Sequence, residues 1–128
     1  MSTILIVEDD KFLSSAYRLK FTKAGFSVHL ARDGQEAMDL LKTIKPDCIL
    51  LDLVMPVKDG FSVLSELKAD TLLQTIPVII TSNLSQKEDI DKAKGLGAID
   101  FVIKSDISLD DLVKKVQALL SVQTLQTS

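Results

Sequence analysis

The chain has 128 residues, 46% hydrophobic and 26% charged, which suits one domain with its own core and argues against disorder. A single cysteine, Cys48, excludes an intrachain disulfide framework and a cysteine-rich zinc site, and a single histidine, His29, excludes any site that needs two. With 15 basic against 18 acidic residues the net charge is −3, so there is no broad basic footprint for nucleic acid.

Ile4-Leu5-Ile6-Val7 is a β-branched run that predicts a strand buried on both faces. From Phe12 to Lys23 the apolar residues Phe12, Leu13, Ala16, Leu19 and Phe21 predict a helix ending at Gly25. Ser27–Ala31 alternates as a second strand. Asp33 and Glu36 form a D-x-x-E cap before Ala37, Leu40, Leu41 and Ile44, a helix stopped before Pro46. Cys48–Leu51 is a third buried strand. A loop through Pro56 to Gly60 precedes a helix marked by Phe61, Leu64 and Leu67. Pro77 opens a fourth strand, Val78–Ile80. Ser85 and Glu88 form a capping box for a helix ending near Gly95-Leu96-Gly97, Phe101–Ile103 is a fifth strand, and Ser108 and Asp111 cap a last helix with the stripe Leu109, Leu112, Val113, Val116, Leu119 and Leu120. The domain is expected over 1–122, with a polar tail or linker start over 123–128. No uncharged stretch is long enough for a bilayer, and Met1-Ser2-Thr3 carries no basic region ahead of its apolar run, so a cytoplasmic location is expected.

Five βα units in alternation predict an α/β fold, a doubly wound parallel sheet with helices on both faces. Ligands of such sheets bind beyond the carboxyl ends of the strands. The polar residues there are Glu8-Asp9-Asp10, Asp52, Thr81-Ser82 and Lys104. Clustered carboxylates repel unless a cation compensates. Lys104 supplies one charge, and oxygen ligands without a nearby His or Cys point to Mg²⁺ for the rest. Metal, ammonium, hydroxyl and an attacking carboxylate together furnish a pocket for a phosphoryl group.

In these residues the chain resembles the receiver domain of bacterial two-component response regulators, of the chemotaxis-regulator type. The resemblance runs from Thr3 to about Leu120 and is carried by Ile-Leu-Ile-Val-Glu8-Asp9-Asp10, Leu-Leu-Asp52-Leu-Val-Met55-Pro56-x-x-Asp59-Gly60, Pro77-Val-Ile-Ile-Thr81-Ser82 and Asp100-Phe101-Val-Ile-Lys104. It implies a five-stranded flavodoxin-like sheet of order 2-1-3-4-5, with Asp52 as phosphoacceptor. Asp9 would be a direct metal ligand, Glu8 a weaker or water-mediated one, and the Val54 carbonyl a further one. Lys104 would pair with a phosphoryl oxygen, Ser82 would be the switch hydroxyl, and Phe101 would occupy the aromatic switch position. Spacing from Pro77 and Lys104 favours Ser82 over its neighbour Thr81.

The pattern departs from the family in places. Ser105 follows Lys104 where many receivers have a proline after a cis peptide, which leaves the aim of the lysine to be tested. Phe101 has no hydroxyl. Val54 and Leu84, at the positions that tune phosphoryl lifetime, are apolar and predict slow self-dephosphorylation.

The resemblance implies a signalling phosphoacceptor rather than a metabolic enzyme. Its partners would be a histidine kinase or phosphotransfer protein and an output protein or missing effector domain. The face of the fourth helix, fifth strand and fifth helix is the expected docking or homodimer surface, and no direct nucleic-acid or membrane contact is expected. The alternatives are a phosphorelay intermediate and a receiver-like module that is never phosphorylated. A small Mg²⁺-dependent phosphatase of the haloacid dehalogenase type fits least, since Asp52-Leu53-Val54 lacks its second acid. A nucleotide-binding domain would need a glycine-rich loop after the first strand, which is absent.

Overall fold

The computed structural model describes residues 2–84 and 86–127, with side chains up to position 121. Strands β1 (Thr3–Val7), β2 (Ser27–Ala31), β3 (Cys48–Asp52), β4 (Val78–Ser82) and β5 (Asp100–Ile103) alternate with helices α1 (Lys11–Lys23), α2 (Gly34–Leu40), α3 (Gly60–Ala69), α4 (Lys87–Gly95) and α5 (Leu109–Thr127). All strand pairs are parallel, in the order β2-β1-β3-β4-β5. Because side chains alternate along a strand, each strand feeds two cores. Leu5, Val7, Ile49, Leu51, Val78 and Ile80 pack with Val63, Leu64 and Leu67 of α3 and with Ala37 and Ala93. Ile4, Ile6, Cys48, Leu50, Ile79 and Val102 pack with Tyr17 and Phe21 of α1 and with Leu112, Val113 and Val116 of α5. The uninterrupted apolar runs of the sequence thus record burial on both faces.

The chain leaves β1 for β2 on one side and crosses to β3 on the other, so strand order reverses between β1 and β3. At that reversal the helices on opposite faces diverge and open a crevice beyond the strand ends. Asp residues shape its rim. Asp10 accepts from the Leu13 amide at 3.0 Å, Asp33 from Glu36 at 2.8 Å and Asp59 from Ser62 at 2.8 Å, and Ser108 accepts from Asp111 at 3.1 Å. Each such cap stabilises its helix by about 1 kcal/mol.

Several elements differ from the sequence-based expectation. Helix α2 ends at Leu40, not just before Pro46. The amides of Lys42 and Thr43 bond three residues back, to Asp39 and Leu40, and the Thr43 hydroxyl donates to the Leu40 carbonyl, so the helix tightens into turns. Phe12 is 92% exposed and Leu19 55% exposed. The inward stripe is Leu13, Tyr17 and Phe21, which keeps two of the expected residues and adds Tyr17. Helix α4 starts after Gln86, which makes no side-chain cap bond, and the expected cap, Ser85, lies outside the described residues. Helix α5 carries its backbone on through 123–127, where a tail was expected. Among the described residues no helix is long and apolar enough to cross a membrane.

Candidate functional site

Asp52 is the last residue of β3 and Glu8 the first after β1; they are 4% and 2% exposed. The exposed Asp9 completes the group, and one carboxylate oxygen from each of Glu8, Asp9 and Asp52 lies within 4.8 Å of the others. The three adjacent acids of the first loop divide their work. Asp10 caps α1, Asp9 joins the cluster, and Glu8 turns inward, one oxygen accepting from the Asp10 amide at 3.2 Å.

Lys104 reaches this cluster from β5. That strand lies two positions from β3, about 10 Å away, a gap that a long, unbranched side chain can cross. Its Nζ lies 2.5 Å from Glu8 Oε1 and 3.2 Å from Asp52 Oδ2. The chain after β5 runs into a 3₁₀ turn at Lys104–Asp106, and no cis peptide occurs among the described residues. The lysine therefore meets the acids on an all-trans backbone, with Ser105 in place of proline.

Burial pushes the Glu8 carboxyl above its ordinary range, the hydrogen bond from Lys104 opposes that, and the Asp52 charge raises it again. Burial works against the Lys104 ammonium, yet the hydrogen bond to Glu8 and the field of Asp52 outweigh it and hold its pKa above the ordinary value. The pocket thus holds three acids against one base. Its donors are all oxygens, so the cluster fits a hard divalent cation such as Mg²⁺.

The loop after β3 frames the pocket from the side. The Val54 amide donates to Asp52 Oδ1 at 3.3 Å, and the Gly60 amide donates to the Leu53 carbonyl at 2.9 Å. Gly60 packs so closely that a β-carbon there would collide with the Asp52 carbonyl and come within 2.7 Å of the Leu53 Cα. Between them the Lys58 amide donates to the Pro56 carbonyl at 2.7 Å, a γ-turn about Val57 with φ +67°. Val54, 60% exposed, sits on the rim.

At the end of β4, Thr81 and Ser82 are both buried and point to opposite faces. Thr81 stands opposite Asp52 in the strand register and shares a small cavity with Tyr17. Ser82 Oγ accepts from the Leu84 amide at 3.1 Å, bracing the loop toward α4. Phe101 is half-buried and packs with the core beneath α3 and α4. The structure thus gathers Glu8, Asp9, Asp52 and Lys104 into direct proximity, with Ser82 on the neighbouring strand end and Val54 at the mouth. Two features escaped the sequence reading. Glu8 holds Lys104 directly, and Tyr17 lies under the pocket. The i, i+4, i+8 spacing of Leu13, Tyr17 and Phe21 could have revealed the second.

Comparison with known proteins agrees with this geometry. The family described as "Response regulator receiver domain" matches residues 4–117. The DNA-binding dual master transcriptional regulator RpaA of Synechocystis is 34% identical over 120 residues, which cover 94% of this chain and 49% of that protein. The receiver domain of the Francisella response regulator 1452 is 32% identical with a TM-score of 0.88, over 96% of this chain and 99% of that one. The response regulator Rcp1, solved in a Mn²⁺-bound form, is 32% identical with a TM-score of 0.81, over 94% of this chain and 93% of that one. The chain spans about half the length, or less, of the curated relatives it matches.

Proposed function

The chain belongs to the response regulator receiver domains, and we propose that Asp52 is its phosphoacceptor, charged by the phosphohistidine of a histidine kinase or phosphotransfer protein. The observation that carries this reading is Lys104 Nζ held between the carboxylates of Glu8 and Asp52 at the carboxyl end of a central strand. An Asp52 oxygen attacks phosphorus, the P–N bond breaks, and its electron pair leaves with the imidazole. Lys104, within reach of the acceptor, pairs with a phosphoryl oxygen as charge gathers there. Glu8, Asp9 and Asp52, with the Val54 carbonyl, would hold Mg²⁺, which neutralises phosphoryl charge when bound. That the similar Rcp1 has been solved in a Mn²⁺-bound form supports divalent-ion binding by this chain.

Ser82 is the switch hydroxyl in this reading, because Thr81 lies on the other face, in the small cavity beside Tyr17, while Ser82 Oγ already braces the loop toward α4. On phosphorylation Ser82 donates to a phosphoryl oxygen and draws the loop toward α4 inward. Phe101 then shifts a pre-existing equilibrium of the face formed by α4, β5 and α5, where an output partner docks. Intact mass after incubation with Mg²⁺ and acetyl phosphate tests the reading. One added phosphoryl group, lost in Asp52→Asn and in EDTA, is the expected result. An adduct that persists in Asp52→Asn would overturn it.

A further inference from the structure

Lys104 needs a support that its own backbone does not supply. It opens a 3₁₀ turn that has no side-chain cap, and no proline follows it. Its stem instead shares a small cavity of about 40 Å³ with Tyr17, Thr81, Val102, Ile107 and Leu112. Tyr17 is 2% exposed and belongs to the core between α1, α5 and the sheet. The same cavity places it beside Thr81, the residue opposite Asp52 in the β3–β4 register. The two ends of the ion pair are therefore approached from below by one aromatic side chain.

We propose that Tyr17 is a positioning residue for Lys104: its ring walls the lysine stem, and its place beside Thr81 sets that wall against the strand next to Asp52. Without the ring, the cavity enlarges and the stem can settle into it, drawing the ammonium from the pocket. Burial pushes the Tyr17 hydroxyl up to about 12, so the wall stays neutral and does not compete with Glu8 and Asp52 for the lysine. The inference rests on the phosphoacceptor reading, since positioning matters only if Lys104 serves the transfer.

A double-mutant cycle tests it. Phosphorylation of Asp52 by acetyl phosphate at saturating Mg²⁺ is followed in wild type, Tyr17→Leu, Lys104→Ala and the double variant. Misplacing a catalytic group by about 1 Å can cost up to about a hundredfold. Tyr17→Leu is expected to slow the reaction at least about tenfold in wild type and to have no further effect once Lys104 is gone. Tyr17→Phe, which keeps the ring and removes only the hydroxyl, falls between. A side chain that merely holds the fold together would slow both backgrounds equally, and that additive result overturns the proposal, as does an unchanged rate in a folded Tyr17→Leu. A wild-type chain that takes no phosphoryl group would defeat the phosphoacceptor reading instead. The Lys104 ammonium NMR resonance then decides the positioning by itself. Its shift is expected to move toward that of free lysine in Tyr17→Leu, and an unmoved shift overturns the proposal.

Discussion

Lys104 Nζ lies 3.2 Å from Asp52 Oδ2 while Glu8 holds it from the other side. The ammonium is thus stationed between two carboxylates at the carboxyl end of the sheet. The lysine balances only part of the local charge, since Glu8, Asp9 and Asp52 converge on it.

That imbalance makes folding sensitive to divalent cations. Mg²⁺ at a hundred times its dissociation constant is expected to stabilise the chain by about 2.7 kcal/mol. Asp9→Asn and Asp52→Asn should each remove most of that gain. Urea denaturation with and without Mg²⁺ measures it, and an undiminished gain in Asp9→Asn would place the ion elsewhere.

Val54 is exposed at the mouth of the pocket and Leu84 packs partly buried against the core after β4, and neither apolar side chain can orient an attacking water. Val54→Asn combined with Leu84→Glu is therefore expected to speed loss of phosphate from Asp52 by at least about tenfold. Decay of the phosphorylated species by intact mass provides the rate, and an unchanged lifetime would refute the shielding argument.

Two glycines predict opposite effects of the same substitution. At Gly60 a β-carbon meets the backbone of Asp52 and Leu53, so Gly60→Ala should destabilise by about 2 kcal/mol or more and slow phosphorylation. At Gly95, the last residue of α4, nothing lies within 4 Å. Gly95→Ala should stabilise by about 0.5–1 kcal/mol. Thermal denaturation of both variants compares them directly.

Val57 holds φ +67° although it is β-branched, an arrangement that costs about 1–2 kcal/mol. It is exposed and carries no core packing. Val57→Gly is expected to recover about 1 kcal/mol of stability in denaturant, and a loss of stability would show that the turn depends on the valine.

Cys48 and Tyr17 both keep their protons longer in the folded chain. Burial pushes each up to about 12, from 9.0 and 10.0 respectively. The unfolded state therefore loses protons first as pH rises, and the stabilisation, complete below pH 9, declines toward pH 12. Denaturation midpoints between pH 8 and 11 should fall less steeply in Cys48→Ala than in wild type, and parallel curves would contradict the assignment.

Local rules acting on neighbouring residues were enough to read much of this protein. Four apolar runs and one alternating segment marked the five strands, D-x-x-E and S-x-x-D patterns marked caps, and βα alternation implied that Asp52, Glu8 and Lys104 share one sheet edge. Other outcomes needed the assembled tertiary structure. Asp9 and Asp10 are chemically alike, and only the entry angle of α1 makes one a cap and leaves the other to the cluster. Phe12 and Tyr17 both suit an apolar stripe, but the packing of α1 against the sheet leaves the first exposed and buries the second beside Lys104. The Glu8–Lys104 bond joins residues 96 positions apart. Periodicity constrains which face of an element a side chain takes, whereas contact across such a separation depends on strand order, register and the reach of the side chain, which exist only once the sheet is built.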